Sequence, residues 1–121
     1  MSLFVVTEQD GCLIVTLPRE CSNFDEEEIR AAEEHVLRAV AEMAELRGVI
    51  ADMSRTEFLG TLLIETLLRI AKRAAERGGK LYLVGLHGPV KAVFHTTRLD
   101  RVLPQAESLE AAIATVNRET R

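Results

Sequence analysis

The run from Gly48 to Leu68 constrains this chain more than any other stretch. A short apolar segment, GVIADMS, ends in a polar turn and passes through RTEF into LGTLLIETLL, the opening of an amphipathic helix. A buried strand that hands over to a helix within a few residues is half of a strand–helix–strand crossover, which points to a sheet with parallel strands. The same order sets Thr61 at the start of the helix. Unpaired N–H groups and the positive end of the macrodipole favour an anion there, a phosphate ester included.

The rest of the chain alternates in the same sense. Residues 3–7 and 12–17 are β-rich runs joined by Asp10-Gly11, a dipeptide suited to the positive φ angles of a tight hairpin turn. Pro18 ends the second run. Ser22, Asn23 and Asp25 are candidate caps for a helix reaching about Leu46, with Ile29, Ala32, Val36, Val40 and Met43 inward. Residues 49–53 are apolar without clean alternation, as expected of a strand covered on both faces. A second helix runs from Thr61 to about Arg77 and stops at Gly78-Gly79. Residues 80–86 form another buried strand, and Pro89 starts a short helix to Thr97. Val102-Leu103 reads as a brief strand before Pro104, and a last helix spans residues 108–117. The expectation is one α/β domain over residues 1–121: a mixed sheet of four or five strands, a hairpin first and a parallel core. The strands at 49–53 and 81–86 are expected to be the central ones, with about four helices packed mainly on one face.

Composition removes several classes of function. The 121 residues suffice for one core but not two ordinary domains. The net charge is −4 and no Lys/Arg stripe tracks a phosphate backbone, so nucleic acid is not an expected partner. No apolar run approaches the roughly 18 residues of a membrane span. MSLFVV lacks the charged region and cleavage site of a signal peptide, so no membrane insertion and a cytoplasmic location are expected. Cys12 and Cys21 read as ordinary reduced thiols, and His35, His87 and His95 lack paired ligand spacing, so no metal or other cofactor is expected. No nucleophile, base and orienting partner fall into a motif, and Gly85-Leu86-His87-Gly88 is neither a phosphate loop nor a nucleophile elbow. The chain reads as a binding module, not an enzyme.

The order of elements, with several words of sequence, resembles the STAS domain of anti-sigma factor antagonists. That family carries Asp-x-Ser, a few residues, an aromatic–aliphatic pair, Asp-Ser-Ser/Thr-Gly-Leu, then a long helix ending in Gly-Gly or similar. Asp52-Met53-Ser54 matches the first part and Phe58-Leu59 the pair, and Thr61 falls on the phosphoacceptor position. The stretch Leu81-Tyr82-Leu83-Val84-Gly85-Leu86, then Pro89-Val90, Leu99-Asp100 and Glu107-Ser108-Leu109-Glu110-Ala111-Ala112 extend the likeness over nearly the whole chain. The departures fall on the phosphorylation motif. Gly60 stands where the family usually has an acidic residue, and Leu62 and Leu63 where it has the second hydroxyl and the glycine. Some stressosome members of the family also follow a threonine with aliphatic residues.

The resemblance implies binding to an anti-sigma factor or related serine/threonine kinase. The surface would be Ser54, Thr56, Phe58, Gly60, Thr61, Leu62 and Leu63, with Thr61 as phosphoacceptor. A weak homodimer is left open, and so is nucleotide binding, suggested for the family, although no phosphate-cradling glycine motif occurs here. The alternative is a constitutive assembly subunit, of the stressosome or a transporter, whose surface is never phosphorylated. The apolar pair Leu62-Leu63 favours that reading, since permanent interfaces are more apolar than switched ones. Read structurally, Thr61 is an N-cap, Ser54 bonds its own turn, and one of Leu62 and Leu63 belongs to the core.

Overall fold

The computed structural model describes residues 3–20 and 24–119. Strands β1 (Val5–Gln9) and β2 (Cys12–Thr16) form the hairpin, and helix α1 spans Glu26–Glu42. Then follow β3 (Gly48–Asp52), α2 (Thr61–Glu76), β4 (Leu81–Val84), α3 (Gly88–Thr96), a 3-10 turn at Leu99–Arg101, and α4 (Leu109–Glu119). The sheet order is β1-β2-β3-β4, antiparallel in the first pair and parallel in the other two. Asp10 and Gly11 take φ of 50° and 81°, the left-handed pair that a two-residue hairpin turn requires.

Side chains alternate across the sheet, so each inner strand supplies two cores. Leu13, Val15, Val49, Ala51, Leu81 and Leu83 face one side, with Val36 and Val40 of α1, Leu63, Leu67 and Ile70 of α2, and Val90 and Phe94 of α3. Cys12, Ile14, Ile50, Tyr82 and Val84 face the other and are covered by Ala112, Ile113 and Val116 of α4. This two-sided burial is why residues 49–53 show no alternation. Three helices thus lie on one face and α4 alone on the opposite one. Arg69 of α2 ties the larger layer together by donating two 2.7 Å bonds to the Glu33 carboxylate of α1.

Four expectations need correction. Val102-Leu103 is not a strand: Val102 is 63% exposed, whereas Leu103 is a buried plug at the exit of the 3-10 turn. The β-type contact falls two residues later. There the Leu83 N–H donates to the Pro104 carbonyl, the Ala106 N–H donates to the Leu83 carbonyl, and Gln105 bridges Leu83. The central strands are therefore β2 and β3. With no fifth strand beyond it among the described residues, β4 ends the sheet, its side chains buried and its outer edge covered by residues 104–106. Helix α1 stops at Glu42 rather than near Leu46, because Met43 turns to an extended ψ of 122° and Leu46 reaches the core from the connecting loop. The fourth strand is shorter than 80–86, because Gly85 breaks it with φ of 76°. Cys12 is a free buried thiol; Cys21, Ser22 and Asn23 lie outside the described residues.

Candidate functional site

The site is built where β3 hands over to α2. The Asp52 carboxylate accepts the Ser54 N–H at 3.0 Å, and the Met53 carbonyl accepts the Thr56 N–H at 3.0 Å, so the chain turns sharply as the strand ends. The Thr56 hydroxyl then donates to the Pro18 carbonyl at 2.9 Å and is completely buried. A second tether follows. The Arg19 carbonyl receives the N–H groups of Glu57 and Phe58 at 2.9 and 3.4 Å, and the Arg19 guanidinium pairs with Glu57 at 2.6 Å in the open. That exposed pair adds little stability, but the backbone bonds fix the loop on the segment after β2. Leu59 drops into the core, leaving Phe58 61% exposed beside it.

Gly60 is the N-cap residue of α2, with φ of −96° and ψ of 172°, and Thr61 is the first helical residue. The expectation that Thr61 caps the helix is thus corrected by one position. Its hydroxyl makes no capping bond, and its side chain is exposed. A glycine N-cap offers no side-chain acceptor, and the first turn carries no acidic residue, so the leading N–H groups of α2 lack a side-chain partner. Gly60 is not required by its surroundings: a Cβ built there meets nothing nearer than Phe58 at 4.0 Å. The acidic residue that the resemblance puts at this position would be a helix cap, and the present chain does without it.

Leu62 and Leu63 separate as adjacent helical positions must. Leu63 is buried with Leu67 and Ile70, and Leu62 is half-buried at the rim. Of the seven candidate residues, Ser54, Phe58, Gly60, Thr61 and Leu62 therefore share the surface. Thr56 and Leu63 do not; both are interior and cannot meet a partner in this conformation.

A residue that sequence reasoning left without a role joins the loop from the next connection. His87 Nε2 lies 3.0 Å from the Ser54 carbonyl, and Gly85, at φ of 76°, passes so close that a Cβ would stand 2.7 Å from the Ser54 nitrogen. Gly85 is the signal that was available: a glycine ending a buried strand marks a close backbone approach. Nothing in the sequence pairs Arg19 with Glu57. Among the described residues no group of three His, Cys, Asp or Glu side chains could hold a metal ion, and no helix is long and apolar enough to cross a membrane.

Residues 4–112 match the STAS domain family, and the chain belongs to it. It is 30% identical over 105 residues to BtrV of Bordetella bronchiseptica, named as an anti-sigma factor antagonist, covering 87% of this chain and 86% of that one. The fold is shared with an anti-sigma factor antagonist STAS domain protein of Planctomyces limnophilus: TM-score 0.78, 23% identity, 94% of this chain and 97% of that one. It is also shared with the anti-sigma factor antagonist SpoIIAA in its unphosphorylated form: TM-score 0.77, 17% identity, 95% of each chain. SpoIIAA, a Bacillus cell fate determinant, has been solved in a phosphorylated form as well.

Proposed function

We propose that this protein is a cytoplasmic binding module that engages an anti-sigma factor or a serine/threonine kinase through the β3–α2 connection. Phosphorylation of Thr61 switches that contact off. The observation that carries the reading is the position of Thr61: exposed, at the first residue of a 16-residue helix, beside a glycine cap that leaves the helix end open. The names of BtrV and SpoIIAA support the partner class, and the two forms of SpoIIAA support a phosphate switch.

The physical effect of the switch follows from the surface. Exposed Phe58 and half-buried Leu62 flank Thr61 in the chain and offer a partner a small apolar surface. A phosphate there adds about −1.5 to −2 charges. The open N–H groups and the macrodipole favour that charge within the protein itself. A partner packed on Phe58 would have to desolvate it, which weakens binding. Intact mass spectrometry after incubation with the cognate serine/threonine kinase tests the acceptor. One phosphate is expected on the wild type and none on Thr61→Ala, whereas a phosphate on Ser54 with Thr61 unmodified would overturn the assignment.

Constitutive assembly is a second reading, favoured by the 61% exposure of Phe58 next to Leu62. Under it, complexes isolated from cells carry no phosphate, and Phe58→Asp alone abolishes assembly.

A further inference from the structure

A groove of about 660 Å³ lies between the start of β1, the end of β2 and the first turns of α1, with Arg19 and Arg55 at its border. Its walls include Leu3, Val5, Leu17 and Phe24. It exists because α1 presents Ala31 and Ala32 to this corner, where larger side chains would close the gap between helix and sheet edge. Val5 at 52% and Phe24 at 38% exposure are two of the four large apolar side chains left open to solvent among the described residues, and both border it. An apolar concavity of this size with a few polar groups at its mouth has the form of a small-ligand site.

The mouth decides what the ligand carries. Arg19 is paired with Glu57, and the Glu28 carboxylate accepts the Asp25 N–H. Arg55 has neither a hydrogen bond nor an ion pair among the described residues, so its guanidinium is the uncommitted cation at the mouth, with the Glu28 carboxylate and the His35 ring on the helix side. Apolar walls ending at an uncommitted cation complement an unbranched apolar chain that ends in one anionic group. We propose that the groove binds a free amphipathic monoanion of the medium-chain carboxylate class, its chain along Leu17, Ala31 and Ala32 and its head on Arg55. The groove does not rest on the partner-binding reading, although Arg55 itself belongs to the β3–α2 connection.

The test is a 15N–1H correlation titration of the full chain with dodecanoate below its critical micelle concentration, alongside the neutral chain dodecanol. Saturable one-to-one binding is expected, with the largest shifts at Leu17, Ala31 and Ala32 and little change at Thr61. Arg55→Ala should weaken dodecanoate about tenfold, in line with the loss of one charge-assisted bond, and should erase the preference over dodecanol. Ala31→Trp, at an exposed helix position, should abolish binding while the thermal midpoint holds. Should that variant unfold, the anion preference lost in Arg55→Ala remains decisive. The proposal is overturned by non-saturable shifts, by shifts centred on Phe58, by binding to anionic vesicles but not to free dodecanoate, or by equal affinity in wild type and Arg55→Ala.

Discussion

Helices α1 and α2 lie side by side on one face of the sheet, yet they begin in opposite ways. α1 starts at Asp25, whose carboxylate accepts the Glu28 N–H at 2.8 Å while Glu28 reaches back to the Asp25 N–H, and three glutamates fill its first turn. α2 starts at Gly60 with no side-chain cap and no acidic residue in its first turn. The first helix meets its own electrostatic needs; the second leaves its N-terminal N–H groups and dipole to solvent, with Thr61, Phe58 and Leu62 around them. Both helix bodies are held by residues buried against the sheet, whatever their ends do. What distinguishes the start of α2 is that it remains available.

The largest effects should come from breaking the boundary between body and end. Leu63→Ala removes a side chain packed with Leu67 and Ile70 and should cost about 2 to 5 kcal/mol in urea unfolding. Leu62→Ala, one residue earlier at the rim, should cost well under half as much. Similar losses at the two positions would mean that the end of α2 is not separable from its core.

The caps provide the next contrast. Asp25→Ala should destabilise by about 1 kcal/mol through loss of the reciprocal cap. Gly60→Asp should instead stabilise by roughly a few tenths of a kcal/mol, since its φ suits any residue and a side-chain acceptor is introduced. If Gly60→Asp destabilised the fold, the end of α2 would already hold a partner group that the geometry does not show.

The smallest effect concerns the pair that joins the two helices. Burial alone would raise the Glu33 carboxyl, but the bonds from Arg69 outweigh it and hold the group below its ordinary value of 4.5. A depressed carboxyl contributes stability that is present above the ordinary value and is lost as pH falls through the lower, folded one. Stability measured by urea unfolding should therefore fall as pH drops below about 4.5, and Glu33→Gln should flatten that part of the curve. A wild-type curve already flat there would remove the pair from the account.

Most of the architecture was legible because it rests on local patterns: Asp10-Gly11 for the hairpin, the inward apolar positions of α1, the amphipathic opening of α2, and two-sided apolarity for β3. What was missed depends on long-range contacts. Val102 and Leu103 have strand-like side chains, but Leu103 is used as a plug and the edge of β4 is instead met by Pro104 and Ala106 through their backbones. The end of α1 was overestimated because Leu46 keeps the apolar spacing after the backbone has left the helix. At the site, the general placement of Thr61 was readable from the strand-to-helix order. The burial of Thr56 was not, since it is decided by a hydrogen bond to Pro18, 38 residues away in sequence.

The most direct test of the central claim, that the open end of α2 is the partner surface, is titration calorimetry with the cognate anti-sigma factor or kinase. Thr61→Glu should weaken binding by more than tenfold, or about 1.4 kcal/mol, with urea stability almost unchanged, while Thr61→Ala binds as the wild type does. Wild-type affinity in both Thr61→Glu and Phe58→Ala would contradict the claim and leave the start of α2 as an uncapped helix end with no part in recognition.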